Sequence, residues 1–302
     1  MNQISPEIAG MQRNIDNIEI RPLAAALGAE LRGVNVAAGV NDTQMAAVLD
    51  ALHTHGVIVL RDQHLTPQEQ VAFCKRLGPM RVSFMTEVSV PDAPELTIVS
   101  NIVKDGKPIG LVDAGALWHT DGSYLPQPDM YTVLHAIQIP QRDNVALGDT
   151  CFMSTAAVYE NLPADIREKI HNAQGVHSLS YHIQRKIEGN FKAPPAKDTK
   201  PDVLHPAVIE HPVTKRKGIY LTEGHTKAIH GLPDDESRQL LDNIASFATQ
   251  TKFLYRHKWR EGDLLIWDNI GTQHLAITDY GNMPRRLHRA GISSPFNIFM
   301  QH

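Results

Sequence analysis

Beyond Thr249 the sequence carries β signals almost without interruption, and this constrains the fold more than any other feature. KFLYRHKW alternates apolar and polar residues, EGD makes a turn, LLIWDN is an apolar strand, and RRLHRAGI alternates again. Earlier strand candidates are IEIRPL, then GAELRGVNV broken by Gly28 and Gly33, the buried run VIVL at 57–60, ELTIVSNIV and YTVLHAIQI. Helices are expected between them. NDTQMAAVLDALHTHG has Asn41 as N-cap, Gln44 at N3 and a stop at Gly56; TPQEQVAFCKRLG has a Thr66-x-x-Glu69 capping box with Pro67 at N1. Residues 162–172 and 233–249 also read as helices, each with an apolar stripe.

The pattern predicts a mainly β fold with flanking helices: a polar, flexible tail over residues 1–16, then a single domain over 17–302 with a mostly antiparallel core. Residues 184–206, QRKIEGNFKAPPAKDTKPDVLHP, are basic, Pro-rich and poor in aliphatics, so an inserted loop or lid is expected there. The 29 Lys and Arg against 33 Asp and Glu leave no basic surplus for a phosphate backbone, which argues against nucleic-acid binding. Two cysteines, Cys74 and Cys151, cannot make a disulfide framework. With no signal-peptide pattern and no long apolar run, a cytoplasmic protein without a membrane span is expected.

Chemistry concentrates in WHTDGSY. With 16 His and 33 acids in 302 residues, about 1.7 His-x-carboxylate triplets are expected by chance, and His119-Thr120-Asp121 is the one present. Its setting, after DAGAL and before a strand, gives it more weight than its spacing. In an extended segment His119 and Asp121 point to one side and can converge on an ion; a second His would complete the two-His, one-carboxylate face of non-haem iron oxygenases. The alternative is a His that caps a loop and an Asp that makes a turn with Gly122. His274, after an apolar strand and the Gly271 turn, is a third-ligand candidate that spacing does not single out. Arg285 and Arg289, four apart, share a strand face, and two arginines aimed into a β core need an anion. Their alternative is a charged, solvent-facing edge strand.

WHTDGSY, GDT at 148–150, WDNIGTQH at 267–274 and RRLHRA at 285–290 together resemble the TauD/TfdA (taurine dioxygenase-like) family of Fe(II)/2-oxoglutarate-dependent dioxygenases. The resemblance extends over most of the chain, including LGAELRGVNV and EGHTKAIHGL. It implies a double-stranded β-helix, jelly-roll-like, with His119, Asp121 and His274 as metal ligands and as the catalytic residues. It implies Thr150 and Arg285 on the distal carboxylate of 2-oxoglutarate, and Arg289 near the chelating end of that cosubstrate and the substrate. The implied reaction uses Fe(II), 2-oxoglutarate and O2, releases succinate and CO2, and hydroxylates a small molecule.

Taurine enzymes of this family hold their substrate with a His and a Tyr after the second helix and an Asn before the His-x-Asp motif. Here those regions read RVSFMTE and DAGAL, so an organic acid other than taurine is expected, with Arg289 for its anionic group and Ala114 to Ala116 leaving room. Ser123, Tyr124, His177, Tyr181 and His225 are further candidates for the substrate pocket, each with a bland alternative at the surface or core edge. Cys151 should turn away from Thr150, and His53 and His55 read as helix-dipole partners. A halogenase is disfavoured by Asp121, while desaturation or cyclisation stays open. Other readings are a non-catalytic 2-oxoglutarate-binding jelly roll and a zinc hydrolase built on two His and one Asp, which leaves both arginines without a role. Folds of this kind often pair into homo-oligomers.

Overall fold

The computed structural model describes residues 18–82, 86–192, 200–295 and 297–299. The expected tail at 1–16 lies outside them. The core strands are β1 (Glu19–Pro22), β2 (Ala29–Arg32), β3 (Val57–Leu60), β4 (Ala93–Ser100), β5 (Asp129–Gln138), β6 (Thr150–Ser154), β7 (Leu254–His257), β8 (Leu264–Asp268), β9 (Thr272–Ala276) and β10 (Arg286–Ser293). The large sheet runs β1-β2-β3-β8-β5-β10-β4 and continues to Ser89–Val90; the facing sheet is β7-β6-β9. Of these pairs, β2 with β3 is parallel and the others are antiparallel. The result is the expected mainly β, jelly-roll-like fold with flanking helices.

Period-two alternation builds the layers. Val57, Val59, Leu265, Trp267, Leu134 and Leu287 point inward, where they meet Phe152 and Tyr255 of the small sheet. Ile58, Leu60, Leu264, Ile266, Ala290 and Ile292 point outward, under helices α1 (Asp42–His55) and α2 (Pro67–Leu77). Strands β3 and β8 are covered on both faces, which is why VIVL and LLIW read as unbroken apolar runs. Both helices begin at complete capping boxes, Asn41 with Gln44 and Thr66 with Glu69.

Helices α3 (Thr155–Asn161), α4 (Ala164–Ile170), α5 (Leu179–Glu188) and α6 (Asp234–Ala248) lie beyond, and a third cluster joins residues of α3, α4 and α6 with Met153 and partly buried Cys151. Cys151 therefore faces away from Thr150 and Phe152. Helix α4 is shorter than the expected 162–172. The 184–206 segment is not a loop throughout: residues 184–188 complete α5, whose N-cap Ser178 accepts from the Tyr181 N–H, and Val203–Pro206 is a strand. Its polar composition concealed an amphipathic helix that buries Leu179, Ile183 and Lys186. His53 and His55 do occupy the last turn of α1, but burial lowers both pKa values, which weakens any interaction with the dipole. No helix among the described residues is long and apolar enough to cross a membrane.

Candidate active site

His119 reaches β9 through a two-bond antiparallel bridge. Its N–H donates to the His274 carbonyl at 3.1 Å, and the His274 N–H donates back at 2.9 Å. Directly opposed residues share a face, so the two imidazoles stand with ring centroids 4.1 Å apart. Thr120 turns to the other side and donates to the Thr272 carbonyl, and the chain then brings Asp121 back to the imidazoles. His119 Nε2 lies 3.7 Å from Asp121 Oδ1, and His274 Nε2 lies 3.9 Å from Asp121 Oδ2. One ligand atom from each of the three residues fits within 4.8 Å of the others.

The surroundings fix these donors. His119 Nδ1 donates to the Leu117 carbonyl at 2.7 Å, which leaves Nε2 as the ring nitrogen that faces Asp121. Thr132 Oγ1 donates to Asp121 Oδ2 at 2.7 Å and accepts from Asn269 Nδ2 at 2.9 Å; Asn269 Oδ1 in turn accepts from Trp267 Nε1. Burial alone would raise the Asp121 pKa, but the Arg289 guanidinium, then His274 and His119, hold it well below the usual carboxylate range. Burial, reinforced by His119, pushes His274 well down.

Arg285 and Arg289 share the inner face of the β10 segment, with Leu287 between them in the inter-sheet core. Arg289 Nη2 meets Asp121 Oδ2 at 3.0 Å and Asp129 Oδ2 at 3.4 Å, and Asp129 also accepts from Arg81 Nε at 2.6 Å. Arg285 is 5% exposed and donates to the Gly148 carbonyl at 3.1 Å, while its Nε is buried without a partner. No carboxylate lies within ion-pair distance of it among the described residues. Burial lowers its pKa. Thr150 Oγ1 accepts from Trp259 Nε1 at 3.1 Å.

The other sequence candidates separate. The Tyr124 ring lies 5.2 Å from His225, and His225 lies 5.7 Å from His119, so both border the cluster. His177 is fully buried between His205 and Tyr220, Ser123 is fully buried with an unpartnered hydroxyl, and Tyr181 accepts from Arg238 at the rim of another cavity. That cavity, about 370 Å³, lies between α5 and α6 and is lined by Trp118 and Gln273, whose side chains alternate away from His119 and His274. The room expected at 114–116 is partly taken up: Gly115 has φ +80°, and a Cβ there would sit 3.2 Å from His119 Cε1. Sequence reasoning missed Asp129, Thr132, Asn269 and His182, whose ring stacks on His225 at 4.3 Å, and gave Arg81 no role although RVSFMTE begins with it. Asn269 had a signal in its place in WDNIGTQH.

A jelly roll with two imidazoles and a carboxylate converging at its mouth is the architecture of a non-haem oxygenase. A family model described as Taurine catabolism dioxygenase TauD, TfdA family matches residues 19–290, and the chain belongs to that family. It is 33% identical over 291 residues to a pentalenolactone F synthase of Streptomyces arenae, covering 91% of this chain and 95% of that one. It is 31% identical to an alpha-ketoglutarate-dependent sulfate ester dioxygenase of Pseudomonas putida, covering 91% and 89%. Among solved structures, a taurine dioxygenase from Burkholderia xenovorans aligns with TM-score 0.76 at 29% identity, covering 92% and 89%. AAD-2, in complex with Mn(II) and N-oxalylglycine, aligns with TM-score 0.76 at 28% identity, covering 93% and 99%. The chain is thus an alpha-ketoglutarate-dependent dioxygenase, an oxidoreductase whose family implies 2-oxoglutarate and O2.

Proposed function

We propose that this dioxygenase hydroxylates a small anionic organic molecule, with one Fe(II) held by His119, Asp121 and His274. The donor set fits: one carboxylate held ionised, one imidazole kept neutral by burial, and one whose Nδ1 proton is already committed to Leu117. When bound with 2-oxoglutarate and O2, the iron supplies oxidative decarboxylation to succinate and CO2 and the oxidising power for C–H hydroxylation. The protein's part is position and electrostatics.

The observation that carries the reading is Arg285, a buried guanidinium without a carboxylate among the described residues. A dicarboxylate cosubstrate would satisfy it bidentately, with the Thr150 hydroxyl beside it. The spacing agrees. Thr150 pairs with Ala276 and Phe152 with His274, so the anchor lies two residues, about 7 Å, along the strand from the metal register. That suits a five-carbon diacid laid along the inner face.

Arg289, with Tyr124 and His225, borders the substrate side. Iron on Asp121 would release part of the Arg289 charge for an anionic group. The sulfate ester dioxygenase and the (S)-phenoxypropionate and 2,4-dichlorophenoxyacetate dioxygenases among the relatives support an organic acid or ester. We read residues 17–302 as one catalytic domain, with 184–206 as an inserted lid, of which 193–199 lie outside the described residues; the Lys192 N–H donates to Asp113 Oδ2 at 3.0 Å, just before the His-x-Asp motif. Two free cysteines, Cys74 buried, suit a reducing cytoplasm.

The test is anaerobic visible absorption as Fe(II) and then 2-oxoglutarate are added to wild type and Arg285→Ala. A charge-transfer band that needs more cosubstrate in the variant is the expected result. Absence of any band with metal bound would overturn the reading. Succinate release across phenoxy acids, sulfate esters and taurine then identifies the substrate class.

A further inference from the structure

We propose that Trp259 and Tyr280 are positioning residues for the cosubstrate: together they hold the Arg285 guanidinium at one depth and make the Thr150 hydroxyl a donor toward the distal carboxylate. This rests on the reading that Arg285 and Thr150 bind that carboxylate.

A guanidinium offers two flat faces and an edge of N–H donors. In Arg285 the ring centroids of Trp259 and Tyr280 lie 5.9 and 5.6 Å from Cζ, so aromatic surface flanks it. The donor edge is left for partners, and one of these is the Gly148 carbonyl. Gly148 itself has φ +78°, and a Cβ on it would lie 2.7 Å from Arg285 Nε. The side chain is thus confined between aromatic rings and the Gly148 backbone, and its Nε has no partner among the described residues. Confinement matters because a free Arg side chain has many rotamers, and the freedom it would otherwise lose on binding weakens the complex.

The indole does a second thing. Indole Nε1 only donates, so the Thr150 oxygen that receives its proton is an acceptor in that bond, and the hydroxyl hydrogen is free to donate elsewhere. A carboxylate in front of Thr150 needs that polarity. Trp259 is itself held: it is 1% exposed and stands edge-on to His257 at 4.6 Å, and His257 is held by Asp263 at 3.1 Å and by the Tyr255 hydroxyl at 2.9 Å. Arg285 therefore rests on a rigid support built from β7 and the turn that follows it.

The experiment compares anaerobic titrations of the Fe(II)-loaded full chain with 2-oxoglutarate and with 2-oxoadipate, one methylene longer, in wild type, Trp259→Phe, Tyr280→Leu, Tyr280→Phe and Arg285→Ala. Trp259→Phe keeps a ring but removes the N–H, and should weaken 2-oxoglutarate binding by about 3- to 10-fold, as expected for one lost hydrogen bond. Tyr280→Leu should weaken it similarly and also narrow the preference over 2-oxoadipate by about 3-fold or more, because the anchor can then shift; Tyr280→Phe should restore both. A merely structural defect would weaken both ligands equally. The same order is expected without metal, in the rise of Tm that glutarate gives the apo-protein. If Arg285→Ala weakens binding while Trp259→Phe and Tyr280→Leu keep wild-type affinity and preference, the inference falls and the anchor assignment stands. If Arg285→Ala binds like wild type, both fall.

Discussion

Arg285 and Arg289 sit four residues apart on one inner face, yet their surroundings are opposite. Arg289 is set between two carboxylates, Asp121 and Asp129, and its charge is balanced before any ligand arrives. Arg285 meets a carbonyl and two aromatic rings, and Asp149 and Asp279 act on it only through space, without an ion-pair contact. A balanced arginine holds structure together; an unbalanced one costs folding free energy that a ligand can return. On the function proposed above, Arg285 marks the end that the cosubstrate completes, while Arg289 is paired within the protein until a metal takes Asp121.

The contrast can be broken at its metal end first. Asp121→Ala should lose Fe(II) binding and turnover together, read by metal titration and succinate release, and should leave Arg289 with Asp129 alone. Normal turnover in that variant would remove the ligand assignment. Next, Arg285→Met should raise the 2-oxoglutarate Kd by roughly 30- to 1000-fold, the cost of leaving a carboxylate unpaired. Its apo Tm should stay level or rise, because no buried anion loses a partner. Arg289→Met should do the reverse to stability: apo-protein loses about 3 kcal/mol, roughly 5–10 °C in Tm, since Asp121 and Asp129 both lose a cation. Equal Tm changes in the two variants would erase the distinction.

A smaller effect sharpens it by testing burial without charge pairing. Burial, helped by His205, pushes His177 down to about 3, against about 6.5 unfolded. The unfolded chain then binds more protons between those values, so stability is intact above pH 6.5 and falls as pH drops toward 3. Between pH 6.5 and 5 the loss is about 2 kcal/mol for this one group. Burial lowers His288 to about 4, which adds loss in the same direction. Chemical denaturation at pH 7 and pH 5 should show this, and His177→Leu should reduce the slope. Smallest of all, deleting residues 193–199 should change substrate KM while leaving Fe(II) affinity alone; unchanged kinetics would reduce the segment to a linker.

Much of this was legible in the chain. Capping boxes are local in sequence, so α1 and α2 could be read from Asn41, Gln44, Thr66, Pro67 and Glu69. Doubly covered strands have to be apolar on both faces, so VIVL and LLIW announced themselves. Helix α5 did not, because Gln184, Arg185 and Lys186 look like a loop until α5 is packed and Leu179, Ile183 and even Lys186 are buried. His177 and Ser123 read as pocket candidates, and their full burial carried no signal in the sequence, because it depends on elements packed against them from elsewhere in the chain. The roles of Asp129 and Trp259 carried no signal, since each acts on a partner more than a hundred residues away, Arg289 for one and Thr150 for the other.

By itself the sequence determined the class of fold, the His-x-Asp pair, the paired arginines and the family. These depend on period, capping and short motifs, which the chain carries locally. Only the tertiary structure decided that His274 of all the histidines faces His119, that Arg289 is already neutralised while Arg285 is not, and that Trp259 sets the direction of the Thr150 hydroxyl. Those facts depend on strand register and on which side chains share a low-dielectric space. Register is fixed by the whole hydrophobic pattern acting at once, and no single segment contains it.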